Sequence, residues 1–121
     1  MEKKVTAIRM NGVNEQEVDT EARYSLEEEL QIIKSIQQRG KERDTAIEKL
    51  AQSRLRFVTA VAKKYINNNL SMGELIKAGN KGLVLAAENF DESRGLKFIC
   101  YAIWWVRQSI EKEIEKSNNL E

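Results

Sequence analysis

The sequence predicts an all-α protein, a compact bundle of about four helices. Two observations support this fold class. The chain has 121 residues and no proline, whereas an average composition would give about six; proline-free chains suit helices better than turn-rich sheet folds. Apolar residues also recur at intervals of three and four, the period of a helix with one buried face.

Composition also excludes several kinds of function. The chain has no histidine and one cysteine, Cys100, so a histidine general base, an internal disulfide and a cysteine-based zinc site are ruled out. No apolar run approaches the length of a membrane span, and the first residues lack a signal-peptide core. We therefore expect a cytoplasmic protein that is not an enzyme, with no cofactor, metal or membrane partner.

The chain divides into three segments. Residues 1–24 show no sustained period and are interpreted as a poorly ordered or extended arm. Residues 25–116 carry the helical patterns and form the predicted domain. Residues 117–121 are interpreted as a tail, either a truncation or the end of a naturally short chain.

The first half of the domain predicts two helices. Ser25 and Glu28 match a capping box, and a stripe from Leu26 to Ile36 runs to a stop at Gly40. A second helix is predicted from just after Asp44 to Tyr65. Arg54 interrupts its apolar stripe, which fits either a buried ion pair or a residue of a binding site.

The second half predicts two more helices. Ser71 and Glu74 form another capping box, opening a helix that continues to about Asn89. Gly79 and Gly82 lie inside it, where glycine is costly, so we expect close helix–helix contact there. The last helix is predicted over about 97–116.

Charge is polarised along the chain although the net charge is +1. Residues 1–53 hold nine basic and eleven acidic residues, whereas residues 54–68 hold four basic residues and no acid. The neutral total therefore hides local basic regions.

The last helix has two apolar faces instead of one. One face is a regular core stripe made of Ile99, Ile103, Val106, Ile110 and Ile114. The opposite face carries Tyr101, Trp104, Trp105, Gln108, Glu111 and Lys112, and it is flanked by Arg94, Lys97 and Arg107.

Three interpretations of the aromatic face stay open at this point. Rings stack on unpaired bases, cations hold phosphates and an amide reads a base edge, so the face suits single-stranded nucleic acid. It could instead bind a protein partner. The third interpretation is a helix buried on all sides within a structural domain.

Short motifs in a fixed order resemble region 2 of the sigma-70 family, most closely in its primary-type members. The motifs are Leu55-Arg56-Phe57-Val58, Ala62-Lys63-Lys64-Tyr65, Glu74-Leu75-Ile76, Gly79-Asn80, Gly82-Leu83, Phe90-Asp91, Arg94-Gly95, Lys97-Phe98, Tyr101-Ala102 and Trp104-Trp105-Val106-Arg107-Gln108. The resemblance extends over residues 25–116, and residues 25–40 resemble the short region that precedes region 2.

The resemblance implies a transcription initiation factor. Such factors bind core RNA polymerase, recognise the promoter −10 element and melt it by capturing flipped non-template bases. By resemblance, Trp104 and Trp105 wedge at the upstream edge of the bubble, and Tyr101 stacks on the flipped adenine. The further DNA-binding residues that it implies are Arg54, Arg94, Lys97, Arg107, Gln108, Glu111 and Lys112.

Five positions depart from the family pattern, three on the DNA side and two on the polymerase side. Leu96 replaces an aromatic residue of the adenine pocket, and Arg54 replaces an asparagine associated with a second captured base. Glu111 stands beside Gln108 at the position for upstream recognition, where a carboxylate could accept from a cytosine amine. Lys77 is followed by alanine where the family has a polar residue and an acid.

The resemblance assigns polymerase binding to one helix face, which meets a basic coiled coil of the largest subunit. The residues are Glu74, Lys77, Ala78, Asn80 and Val84. Because a cation facing a basic partner weakens association, an alternative function is a sigma-like regulator. It would keep the fold and bind polymerase or an anti-sigma factor without opening promoters.

Overall fold

The computed structural model describes residues 24–66 and 69–119. Within these two ranges the chain is helical, with no strand, and the all-α prediction is confirmed. The helices are α1 (Leu26–Gln38), α2 (Arg43–Ser53), α3 (Leu55–Ala62), α4 (Met72–Asn89) and α5 (Phe98–Asn119), with single 3₁₀ turns at Lys63–Tyr65 and Glu92–Arg94. The predicted arm up to residue 23, most of the stop over 67–69 and the last two residues of the predicted tail lie outside the described residues.

Both predicted capping boxes are present, and they set the starts of α1 and α4. The Ser25 hydroxyl accepts from the Glu28 N–H at 3.1 Å, and the Glu28 carboxylate accepts from the Ser25 N–H at 2.9 Å. Ser71 and Glu74 repeat this pattern at 3.1 and 2.8 Å. Each box satisfies two of the N–H groups that a helix leaves unpaired at its start.

The predicted second helix is divided at Arg54, so the described ranges 24–66 and 69–119 contain five α-helices where about four were expected. Arg54 has φ −118° and ψ 21°, outside the helical region, and it ends α2 and begins α3. Backbone hydrogen bonds from Arg54 to Leu50 and from Val58 to Arg54 continue across the break. Apolar periodicity could not reveal the break, because the i to i−4 hydrogen bonds continue across Arg54 and the apolar residues keep their spacing on both sides.

Helices α4 and α5 pack with their backbones in close contact, as the two glycines predicted. A β-carbon at Gly82 would lie 2.5 Å from the Trp105 carbonyl oxygen, and one at Gly79 would lie 2.7 Å from a methyl group of Val58. Both distances are shorter than real contacts allow. Gly82 therefore lets α4 lie directly against the backbone of α5 at the tryptophan pair.

Helix α1 is joined to α4 by polar contacts and by its buried isoleucines. The Gln37 amide donates to the carbonyls of Ala87 and Phe90, both at 2.9 Å, and so satisfies acceptors at the end of α4. Arg39, just after α1, and Arg43, the first residue of α2, both pair with Glu88. Ile33 and Ile36 of α1 add apolar contacts, since both are buried in the core.

Two details of the predicted stripes are corrected by the structure. The apolar spacing predicts Leu26 at the start of the stripe of α1, but its side chain is 71% exposed because it lies in the first turn, before the helix reaches the core. Arg39 rather than Gly40 adopts the left-handed conformation that ends α1, with φ 58°.

The buried stripe of α5 is also shifted from the predicted one. Its buried residues are Phe98, Ala102, Val106 and Ile110. Ile99, Ile103 and Ile114 are only partly buried. The shift arises because Phe98 packs on Phe90 at the start of α5 and Gly82 brings α4 onto the Trp105–Val106 backbone.

Candidate nucleic-acid interface

A row of aromatic rings runs from the core to the surface of α5. Phe98 contacts Phe90 edge-on, with ring centres 5.4 Å apart, and Phe90 contacts Tyr101 at 5.6 Å. Tyr101 lies 6.2 Å from Trp105, which meets Trp104 edge-on at 5.3 Å. Phe98, Phe90, Tyr101, Trp105 and Trp104 are called the aromatic row below.

The aromatic row is anchored at one end and open at the other. Phe90 and Phe98 are buried, Tyr101 and Trp105 are partly buried, and Trp104 is 57% exposed. The Tyr101 hydroxyl donates to the Asn89 carbonyl at 3.2 Å, which fixes the ring against the end of α4. Helix α5 is therefore not buried on all sides, which excludes the third interpretation of its aromatic face.

The loop before α5 brings two cations to the start of that helix. Gly95 adopts φ 82°, a conformation that favours glycine, and it ends the 3₁₀ turn Glu92–Arg94. Asp91 starts the turn by accepting from the Ser93 N–H and hydroxyl, which lowers the pKa of its carboxyl group. Arg94 and Lys97 are both exposed on this loop.

Leu96 lies on the same loop and is 53% exposed. An exposed leucine offers apolar contact to a base but no ring for stacking. Farther along α5, Arg107, Gln108, Glu111 and Lys112 are all exposed. The sequence therefore predicted correctly that polar and charged groups share the exposed side of α5 with Trp104.

Sequence reasoning missed a contact between this surface and the 3₁₀ turn that follows α3. The Tyr65 hydroxyl donates to the Glu111 carboxylate at 2.6 Å, across 46 positions of sequence. Burial chiefly raises the pKa of Tyr65, and the hydrogen bond to Glu111 raises it further. Only the tertiary structure brings these two residues together, so no local spacing pattern could reveal the contact.

Arg54 lies in a different environment from the other predicted DNA-binding residues. Its guanidinium forms two hydrogen bonds to the Glu29 carboxylate, both 2.9 Å long. Glu29 is only 6% exposed, so the arginine neutralises a buried acid. Of the two explanations offered for Arg54, the structure supplies the ion pair; its role in DNA binding stays a prediction.

The predicted polymerase-binding residues do not all share one surface. Glu74 and Lys77 are exposed, and Asn80 and Val84 are partly exposed. These four residues are called the outer face of α4. Ala78 is 7% exposed and belongs to the core, so the structure does not bring it to this face.

The outer face of α4 carries a cation without a carboxylate partner among the described residues. No ion pair to Lys77 is present in the part of the chain that the structure describes. The Glu74 carboxylate is engaged in its capping box. The face therefore has no excess of negative charge.

The described residues offer little for other chemistry. Over residues 24–66 and 69–119, no group of three or more acidic or cysteine side chains is placed to hold a metal ion. None of the described helices has both the length and the apolar character that crossing a membrane requires. What the α5 surface can do is stack on flat rings, contact phosphates and hydrogen-bond to base edges.

Comparison with known proteins identifies the same region. The model of sigma-70 region 2 matches residues 50–119. The chain is 52% identical over 69 residues to RNA polymerase sigma factor SigA of Microcystis aeruginosa, covering 57% of this chain and 17% of that protein. It is 35% identical over 117 residues to SigA of Lactococcus lactis subsp. cremoris, covering 94% of this chain and 32% of that protein.

The chain thus spans between about a sixth and a third of these two curated relatives. The match to the family model covers more than half of the chain and includes α3, α4, α5 and the aromatic row. The chain therefore belongs to the sigma-70 family, of which it carries region 2.

Proposed function

We propose that this chain is a transcription initiation module that binds core RNA polymerase and captures non-template bases of the promoter −10 element. The observation that carries this proposal is the aromatic row, which ends in an exposed Trp104. In the cell the module would act in the cytoplasm, at promoter DNA. Family membership supports the polymerase and promoter partners.

The energetics of base capture suit an anchored row of rings. Flipping a base out of a duplex costs a few kcal/mol, and stacking on an aromatic side chain returns about 1–3 kcal/mol per base. Tyr101 and Trp105 are already held by their neighbours and by the Asn89 carbonyl. Because these two rings lose little freedom on binding, more of the stacking energy remains available to offset the cost of flipping.

Binding of a labelled −10 non-template oligonucleotide by the chain with core polymerase tests the proposal. We expect Trp104→Ala and Tyr101→Ala each to weaken binding by about thirtyfold, the middle of the stacking range, and salt to weaken it through the phosphate contacts. Leu26→Ala, which removes an exposed apolar side chain of α1, should have no effect. Binding that ignores both aromatic substitutions would contradict strand capture.

We propose that the outer face of α4 provides the polymerase contact. By family resemblance the partner surface is basic, so Lys77 faces like charge and limits the affinity. Lys77→Glu should then tighten binding to core polymerase several-fold, whereas Lys34→Glu on α1 should not. Weaker binding of the Lys77→Glu variant would contradict a basic partner at this face.

A second candidate function is a sigma-like regulator that binds polymerase or an anti-sigma factor without opening promoters. The specific observations in its favour are the exposed Leu96 at the adenine pocket and the engagement of Arg54 with Glu29. A pull-down that recovers core polymerase, combined with no transcript from a −10 promoter, would select this function over the first.

A further inference from the structure

The side chain of Tyr65 reaches the DNA-facing surface of α5 from a separate element. Its ring is partly buried on the turn Lys63–Tyr65, and its hydroxyl donates to Oε2 of Glu111 at 2.6 Å. Burial and this hydrogen bond together raise the pKa of Tyr65. The hydroxyl therefore remains a proton donor to the carboxylate at neutral pH.

This contact leaves one oxygen of Glu111 available. No hydrogen bond to Oε1 is formed by any side chain in ranges 24–66 and 69–119. An ionised carboxylate can only accept hydrogen bonds. Glu111 is therefore a restrained acceptor on an exposed helix surface, where an unrestrained glutamate would sample several rotamers.

The neighbours of Glu111 suit contact with duplex DNA. Gln108 lies one turn earlier on the same exposed side, and Arg107 and Lys112 are exposed beside it. Adjacent cations offset the repulsion between a carboxylate and nearby phosphates. Arg107 also interacts with the Tyr65 hydroxyl, and it lowers the pKa of Tyr65 against the larger effects of burial and of the hydrogen bond to Glu111. Tyr65, Arg107 and Glu111 therefore form one cluster.

The chemistry of an acceptor limits which bases it can read. In the major groove, cytosine presents its N4 amine and adenine its N6 amine, whereas thymine presents an acceptor and a methyl group. Glutamate pairs most often with the cytosine amine. A fixed Glu111 carboxylate would therefore attract cytosine and repel the O4 atom of thymine.

We propose that Tyr65 is a positioning residue, which holds Glu111 so that α5 selects a base pair containing cytosine next to the contact of Gln108. The inference rests on the proposed function, because α5 must first lie against promoter DNA. Tyr65 acts through Glu111 and does not itself read the base.

The test uses the full chain with core polymerase and a DNA duplex that continues into the single-stranded −10 sequence. The base pair at the duplex edge is varied among all four possibilities, and binding is followed by fluorescence anisotropy of labelled DNA. We expect cytosine to be preferred over thymine by about fivefold, the lower end of the discrimination by base-edge contacts. Glu111→Gln should remove most of this preference, whereas Glu115→Gln, the same change one turn later, should keep it.

Tyr65→Phe separates positioning from a structural effect. It keeps the ring and removes the hydroxyl, so the cytosine preference should fall while affinity for the single-stranded oligonucleotide stays unchanged. Combined with Glu111→Gln it should cause no further loss of preference. Equal affinity for the four base pairs, or an unchanged cytosine preference in Tyr65→Phe, would overturn this inference and leave the proposed function standing. Failure to bind any of the DNAs would overturn the proposed function, and this inference with it.

Discussion

The α4–α5 pair and the attachment of α1 are built in different ways. Gly82 brings the backbones of α4 and α5 together with no side chain between them. Helix α1 buries its isoleucines in the core and is also held through long polar side chains, namely Gln37, Arg43 of α2 and the pair between Glu29 and Arg54. The comparison teaches that the element carrying the aromatic row is fixed by a steric fit between backbones, whereas α1 adds specific polar partners to its buried isoleucines.

The largest effect should come from filling the contact between α4 and α5. In Gly82→Ala the new methyl group would meet the Trp105 carbonyl, and backbone cannot move aside as a side chain can. We expect a loss of about 3 kcal/mol in the free energy of unfolding, the upper part of the range for overpacking. Urea denaturation measures it.

Gly73→Ala is the matched control for that substitution. Gly73 lies on the same helix and is exposed, and a methyl group there would have only the Ser71 hydroxyl within reach, at 3.9 Å. Because alanine favours helix over glycine, stability should rise by up to about 1 kcal/mol. A similar loss in both variants would show that α4 tolerates no methyl group anywhere, and the steric account of the α4–α5 contact would be wrong.

The second effect tests the polar attachment of α1. Arg54→Ala leaves the buried Glu29 carboxylate without its partner, and we expect a loss of about 2 kcal/mol, below the usual range for a broken buried pair because Arg54 is partly exposed. Replacing both residues by leucine should recover most of that loss. If the double variant is as unstable as Arg54→Ala, packing of the arginine stem, rather than its charge, joins α1 to α2 and α3.

A smaller effect concerns the contact between the turn Lys63–Tyr65 and α5. The folded-state pKa of Tyr65 lies above the ordinary value of 10.0. The stabilising contribution of the protonated hydroxyl is therefore complete below pH 10.0 and is lost as pH rises through the folded pKa. Absorbance of ionised tyrosine during a pH titration should show one late step, which is absent in Tyr65→Phe.

The smallest effect is expected at the end of α1. Arg39 has φ 58°, which costs most residues about 1 kcal/mol or more, and its bond to Glu88 is exposed at the arginine end. Arg39→Gly relieves the backbone strain and loses the ion pair with Glu88, so the free energy of unfolding should rise by about 0.5 kcal/mol. Thermal unfolding can resolve it, and a loss of stability would show that the exposed ion pair outweighs the backbone strain.

The features predictable from sequence are those set by neighbours along the chain. Ser25 with Glu28 and Ser71 with Glu74 identified two helix starts, and the interior glycines of α4 identified the closest helix contact. The exposed Trp104 face of α5 also followed from spacing alone. Each of these depends on residues within one or two helical turns.

The features that escaped prediction depend on residues far apart in sequence. A buried ion pair was one of the two explanations for Arg54, but its partner Glu29, 25 positions away, was not predicted; Tyr65 and Glu111 are 46 positions apart. Arg54 also breaks its helix without disturbing the apolar period, so the pattern continued where the helix did not. The DNA-binding and polymerase-binding roles themselves require partners and stay predictions.

The position of the tryptophans has a practical consequence. The chain contains two tryptophans, and both lie in the aromatic row, one exposed and the other partly buried beside it. Their intrinsic emission therefore comes from the candidate interface and from nowhere else in the protein. Unlabelled chain should report a base stacking on Trp104 as a change in its own ultraviolet fluorescence, without a dye on either partner.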